Sequence, residues 1–247
     1  MNKNMDWIKT GYFAHRGLHN GQDIPENTML AFLRAVENGY DLECDIQLTN
    51  DKKIVVFHDE NMNRLCNVDL KVQTQNFDDI KDYPILNTKE TMPLLTELLD
   101  NIPKTTKLLI ELKPHKNKKE VVKHFLDIMK HYTHTYAIHS FDPGIVYQFK
   151  KQAPNVIRGQ IAESFKDRKG IGYRLVGHMV FNPFSKPDWI NYSIRELPNK
   201  RLDKLKAKGL VICSYTARTE EEFALVRKHY HNAVFEHFKP TIDIKKT

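Results

Sequence analysis

Along 247 residues, nine strand-like runs alternate with helix-like stretches, and one neighbouring pair of runs is joined by a short polar turn. These observations predict an α/β fold, a (β/α)8 TIM barrel with a short insertion between the second and third barrel strands. The runs cover 11–15, 41–48, 53–58, 107–113, 135–140, 155–161, 188–194, 210–216 and 233–236. The run at 53–58 reads as the return of a hairpin, so eight runs remain as parallel strands, the number that closes a barrel. The length fits one such barrel of about 250 residues.

The elements follow in order. A helix is expected over 28–38, with Asn27 as its N-cap and Gly39 just past its end. Leu30, Phe32, Leu33, Ala35 and Val36 give it an apolar stripe. Residues 60–106 carry little strand character and separate the second and third barrel strands, closing with a short helix from 93 to 99. The stretch 118–131 is amphipathic through Val121, Val122, Phe125, Ile128 and Met129. Further helices are expected at 143–152, 202–209 and 220–230. Between 170 and 194 two segments compete for one strand, and 188–194 is preferred over 177–181. No repeat, low-complexity segment or Pro/Gly/Ser linker divides the chain, so a single domain over 1–247 is expected.

Charge and composition narrow the class. The net charge is +7, the pI about 9.1 and the mean hydropathy −0.55. Such a surface attracts anions, whether small substrates or lipid headgroups. The densest cationic cluster, Lys113, Lys116, Lys118 and Lys119, reads as a solvated loop entering a helix, and no nucleic-acid motif accompanies it. No run of 18 apolar residues predicts a membrane span, and the N-terminal stretch lacks the apolar core of a signal peptide, so a cytoplasmic protein without a stable membrane anchor is expected. The three cysteines, Cys44, Cys66 and Cys213, are far apart and are expected to stay reduced. Nothing in the pattern sets an oligomeric state.

Chemistry-bearing residues concentrate between 12 and 59: Tyr12-Phe13-Ala14-His15-Arg16-Gly17, Pro25-Glu26-Asn27-Thr28, Glu43-Cys44-Asp45 and Phe57-His58-Asp59. Glu43 and Asp45 are two apart in a strand and share one face, while Cys44, Ile46 and Leu48 take the other. The turn after them is expected to be a two-residue hairpin, either Asn50-Asp51 or Asp51-Lys52. In both registers His58 falls on the carboxylate face, opposite Glu43 or Asp45.

These four segments, in this order and spacing, resemble the glycerophosphodiester phosphodiesterases. The resemblance implies a (β/α)8 barrel that uses a divalent metal to cut a phosphodiester into an alcohol and a phosphomonoester. It implies that Glu43 and Asp45 bind the metal, joined by Glu111 of the segment Glu111-Leu112-Lys113. Hard oxygen ligands suit Mg2+ or Ca2+ alike. It further implies that His15 and His58 are the acid–base pair, without assigning which is which, and leaves open a water or a substrate hydroxyl as nucleophile. Arg16 and Lys113 are expected at the substrate phosphate. Glu26 and Asn27 are expected to support this set from behind, and Glu26 to bond His15 or Arg16 or to reach the metal site.

The likeness weakens after Glu111. Tyr215 stands where the family usually has Trp, Phe235-Glu236-His237 stands where it has Thr-Asp, and Lys52 replaces a hairpin Gly. These later positions are expected on the side of the pocket away from the metal. His131, His134 and His139 are expected on the surface, and Phe141, Phe184, Trp189 and Tyr192 mostly in ordinary packing. Three readings of function follow: hydrolysis of small glycerophosphodiesters, the same chemistry on lysophospholipids at a membrane surface, or a barrel that binds without turnover.

Overall fold

The computed structural model describes residues 3–165 and 170–242, so Met1 and Asn2, at the head of the N-terminal stretch, lie outside it. Elements follow in the order α1 (Asp6–Thr10), β1 (Phe13–Ala14), α2 (Met29–Glu37), β2 (Asp41–Leu48), β3 (Ile54–Val56), α3 (Asn63–Cys66), α4 (Phe77–Ile80) and α5 (Leu95–Asn101). Then come β4 (Leu108–Leu112), α6 (Lys118–Met129), β5 (Tyr136–Ser140), α7 (Pro143–Gln152), β6 (Ile157–Ala162), α8 (Ile171–Gly177) and α9 (Asn182–Ser185). The chain finishes with β7 (Trp189–Ser193), α10 (Lys200–Ala207), β8 (Val211–Ala217), α11 (Glu220–His229) and β9 (Asn232–Phe235).

Eight of the strands run parallel in the order β1-β2-β4-β5-β6-β7-β8-β9, and β9 returns to β1, which closes the barrel. The strand expected at 188–194 forms as β7, and the residues weighed against it lie in and beside α8 and α9. β2 is longer than a barrel strand needs. Leu42 to Ile46 pair with β4, and Ile46 to Leu48 pair antiparallel with β3, so the hairpin rises from the rim.

Apolar side chains sort into three clusters. Phe13, Leu109, Ala137, Trp189, Val211 and Val234 fill the barrel's interior, and Ile8 of α1 joins them from one end. Asn232 secures that plug through its Nδ2, which donates to the carbonyls of Ile8 and Gly11 at 2.7 and 2.8 Å. A larger cluster lies between strands and helices, and Cys44 belongs to it, as strand alternation requires. The insertion has a small core of its own, including Val55, Phe57, Leu65, Val72 and Ile80. No helix among the described residues is long and apolar enough to cross a membrane.

Two local expectations are corrected. The helix cap is Thr28, whose hydroxyl accepts from the Ala31 amide, and Asn27 sits one residue earlier with φ +56°. The hairpin pairs Leu48 with Ile54 and Ile46 with Val56, so its turn contains one more residue than a two-residue loop. Lys52 takes φ +68°, a conformation that glycine adopts more readily. In this register His58 would oppose Cys44, on the apolar side. Backbone pairing continues to Phe57, whose amide donates to the Asp45 carbonyl at 2.9 Å, and His58, the next residue, lines the mouth cavity.

Candidate active site

The site lies where the parallel strands end, the position loops and strand termini leave free for chemistry in this architecture. Pleating points Glu43 and Asp45 of β2 inward, and parallel pairing sets Asp45 beside Glu111 of β4. Carboxylate oxygens of Glu43, Asp45 and Glu111 all lie within 4.8 Å of one another, and all three residues are buried. Lys113 follows on the same face. Its Nζ stands 2.6 Å from Asp45 Oδ1 and 2.6 Å from Glu111 Oε1. Burial works against the Lys113 ammonium, but these two carboxylates outweigh it and raise its pKa. Burial likewise penalises ionised Asp45, yet Lys113, His58, Arg16 and His15 hold its carboxyl well below the usual range.

Two imidazoles flank the carboxylates, and each carries an acid on Nδ1. His15 Nδ1 is 2.6 Å from Glu236 Oε2, and His58 Nδ1 is 2.6 Å from Asp59 Oδ1. A carboxylate at Nδ1 favours the proton there and leaves Nε2 for the pocket. Burial opposes ionised Glu236, but His15, His19 and the Arg218 guanidinium draw its carboxyl far below the usual range. Asp59 behaves alike: burial would raise it, and His58 and Arg64 lower it.

Arg16 is reached through a tight turn. It takes φ +55°, and Gly17 follows at φ +79°, where a Cβ would lie 2.7 Å from the Ala31 carbonyl carbon. Its amide donates to Glu43 Oε2 at 3.1 Å, its Nη1 donates to Glu26 Oε1 at 2.6 Å, and its Nε lies 3.2 Å from Asp45 Oδ2. Arg64 of α3 grips Glu26 with Nη1 and Nη2 and Asp59 with Nε and Nη2. An unbroken ion-pair chain thus runs Arg16–Glu26–Arg64–Asp59–His58. Burial opposes ionised Glu26, but the two arginines lower its carboxyl to about 2. Asn27 fastens the floor: its Nδ2 donates to Asp45 Oδ2 at 2.9 Å, and the Asp45 amide donates to its Oδ1 at 3.2 Å.

His15, Arg16, Glu26, Glu43, His58 and Glu111 open on one cavity of about 430 Å³. Asp45 lies beneath it, fully buried. Lys113 is the expected residue that faces elsewhere, opening on an adjoining cavity of about 860 Å³ that shares His58 and Phe141 with the first. Six carboxylates of this network, from Glu26, Glu43, Asp45, Asp59, Glu111 and Glu236, face the four fixed cations Arg16, Arg64, Lys113 and Arg218. With neutral imidazoles the set keeps a charge of −2. A hard divalent cation suits both that deficit and the oxygen-only donors of Glu43, Asp45 and Glu111.

Several neighbours of the site have no counterpart in the sequence reading, and three expectations are corrected. Glu236, expected away from the metal side, stands just past β9, and β9 neighbours β1, just past which stands His15. His139, expected on the surface, is buried in the barrel, because inward-facing positions alternate along β5. It stacks on Trp189 with centroids 5.1 Å apart, and its Nε2 is 3.5 Å from Glu43 Oε1. His134 is buried too, and only His131 of the three is exposed. Among the aromatics, Phe141 lines the cavity, Trp189 and Tyr192 pack in the two cores, and Phe184 is exposed. Asp59 adjoins His58 in sequence, which is the available clue to its role. Arg64 has no such clue, since only the folded insertion brings it to Glu26.

Comparison with known proteins follows the same lines. Residues 15–239 match the profile of the glycerophosphoryl diester phosphodiesterase family. A glycerophosphodiester phosphodiesterase of Bacillus altitudinis is 34% identical over 110 residues, which cover 42% of this chain and 44% of that protein. A human lysophospholipase D is 30% identical over 134 residues, 49% of this chain and 41% of the relative. The chain thus spans less than half the length of either relative. A phosphodiesterase from Oleispira antarctica, solved with its product sn-glycerol-3-phosphate, superposes with a TM-score of 0.76 at 21% identity, covering 92% of both chains, and shares the fold.

Proposed function

The chain belongs to the glycerophosphoryl diester phosphodiesterase family, and from that premise we propose that it hydrolyses glycerophosphodiesters to an alcohol and glycerol 3-phosphate. The observation that carries this reading is the convergence of three carboxylates and two acid-backed imidazoles on one cavity. Glu43, Asp45 and Glu111 would hold Mg2+ or Ca2+, which when bound supplies positive charge to the phosphoryl oxygens. One imidazole Nε2 takes the proton of the attacking hydroxyl, which is water, giving glycerol 3-phosphate directly, or the substrate's own neighbouring hydroxyl, giving a cyclic phosphate that a water then opens. The other delivers a proton to the leaving alcohol oxygen as its bond to phosphorus breaks. Glu236 and Asp59 hold each ring by Nδ1: the ring acting as base is neutral with its one proton there, and the ring acting as acid is the imidazolium, which carries a second proton on Nε2 to deliver. Arg16 adds fixed positive charge beside the phosphate, Lys113 adds its own from the adjoining cavity on which it opens, and Glu26 and Asn27 hold Arg16 and Asp45 in place.

A second reading, cleavage of lysophospholipids, is favoured by the apolar part of the adjoining cavity, Phe141, Pro143, Phe165 and Val176, in a lining otherwise mostly polar and charged. The same experiment separates the two. Chelator-stripped protein is resupplied with Mg2+ or Ca2+ and given glycerophosphocholine, glycerophosphoethanolamine or a lysophospholipid. Release of glycerol 3-phosphate that EDTA abolishes supports the first reading. Turnover of the acylated substrate alone supports the second. Binding without turnover of any of them rejects hydrolysis.

A further inference from the structure

His19 lies four residues after His15 and is absent from the chemistry described so far. Its side chain is 5% exposed, and neither ring nitrogen has a hydrogen-bond partner among the described residues. Leaving a buried polar group unpaired costs about 1–3 kcal/mol, so such a residue calls for a ligand. His19 Nε2 points at the carboxylate that holds His15, at 3.7 Å from Glu236 Oε2. One donor atom each from His15, His19 and Glu236 lies within 4.8 Å of the others.

We propose that His15, His19 and Glu236 form a second metal site, selective for a borderline ion of the zinc class, whose occupancy takes His15 out of proton transfer. Two imidazole nitrogens and one carboxylate are a donor set of zinc sites that keep a fourth position open. The site of Glu43, Asp45 and Glu111 offers oxygen alone, and suits harder ions. At metal–ligand distances of about 2.0–2.2 Å, tetrahedral ligands sit roughly 3.3–3.5 Å apart. The 3.7 Å contact is already near that spacing, and the 2.6 Å contact between His15 and Glu236 must open to reach it. Opening it replaces the hydrogen bond that orients His15, which couples occupancy to loss of turnover. The surroundings bear on affinity in both directions. Arg218 Nη2, 2.6 Å from Glu236 Oε1, opposes a cation, while His237 Nε2, 3.7 Å from that oxygen, offers a further nitrogen.

The inhibitory part rests on the role given to His15 above; the binding part does not. Co2+ serves as a spectroscopic probe for the zinc class, titrated into chelator-stripped protein with Mg2+ in excess to hold the oxygen site. Wild type is expected to take up one equivalent with the intense visible bands of a nitrogen-ligated, low-coordinate ion. His19→Gln and His19→Ala are expected to bind it about a hundredfold more weakly or worse, beyond the 10–100-fold cost of losing an outer-sphere partner. Zn2+ is then expected to inhibit the Mg2+-loaded wild type, with both variants at wild-type activity without Zn2+ and resistant to it. Unchanged cobalt binding in either folded variant overturns the site. Zinc inhibition that persists in them overturns the coupling. If wild type turns over no diester, hydrolysis fails as a reading while the cobalt titration still decides the site.

Discussion

The two imidazoles of the mouth have the same partner at Nδ1 but different foundations. His15 stands just past β1, and its partner Glu236 just past β9, so the seam that closes the barrel fixes both. His58 stands past the hairpin, and its partner Asp59 is held by Arg64 of the insertion. The first ring is nearly buried, while the second is 32% exposed. One half of the site therefore inherits its precision from the barrel ladder, and the other from a separately packed unit tied down by ion pairs. Rigid supports position reacting groups better than loops do, so damage to the supports should be felt unequally.

The largest effects should ignore that difference. His15→Ala and His58→Ala each remove a ring proposed for proton transfer, and on that proposal each should lower kcat by about a hundredfold or more. Steady-state rates with glycerophosphocholine check this, and near-wild-type turnover in either variant would remove that ring from the mechanism. Glu26 joins the two halves, since Arg16 and Arg64 both bind it. Its carboxyl is depressed from 4.5 to about 2 by folding. A depressed acid stabilises the fold fully above its unfolded value, and loses that contribution as pH falls towards its folded one. The depression corresponds to on the order of 3 kcal/mol. Glu26→Gln should lose stability of that order at pH 7, and the gap to wild type should close as the pH falls from about 5 to about 2. Denaturant unfolding at several pH values measures it; a pH-independent gap would mean that the ion pairs are not its cause.

Sequence reasoning reaches the barrel half of this comparison more fully than the insertion half. Alternating apolar runs predict all nine strands, because burial on both sides of a barrel wall writes a strong pattern. Strand parity puts Glu43 and Asp45 on one face and Cys44 on the other, as found. The same parity argument lacks its premise for His58, since it assumes a two-residue turn and the turn is one residue longer. Glu236 escapes it because its role depends on which strand closes against β1, a fact of topology rather than of local pattern. Arg64 lies in a segment whose first two helices are only four residues long and leave little periodicity to read.

The supports of the two rings provide the next test. Glu236→Gln and Asp59→Asn each replace an acceptor with an amide of the same shape. Losing such a partner costs about 10–100-fold where it fixes a functional histidine. The buried seam leaves Glu236 no substitute, so its loss should stand at the upper end of that range. His58 is open to water, which can replace part of what Asp59 supplies, so its loss should stand at the lower end. Equal losses in kcat would erase the distinction between the halves.

The smallest effect belongs to Arg64, which is 49% exposed. Exposed ion pairs contribute about 0–1 kcal/mol each, but Glu26 is buried and owes part of its depression to Arg64, so Arg64→Ala should lose a part of the stability that Glu26→Gln loses and no more. Its four hydrogen bonds nevertheless join Glu26 to Asp59, and so tie the insertion to the barrel beside His58. Without them His58 would spend less time in its productive orientation, which lowers kcat by a few fold while metal affinity at Glu43, Asp45 and Glu111 stays unchanged. Raising the salt concentration should produce the same loss in wild type and little further loss in the variant, because screening acts on the same pairs. A variant whose kcat remains at the wild-type value, and which keeps the wild-type salt response, would show that the insertion's own apolar core holds His58 without the help of its charges.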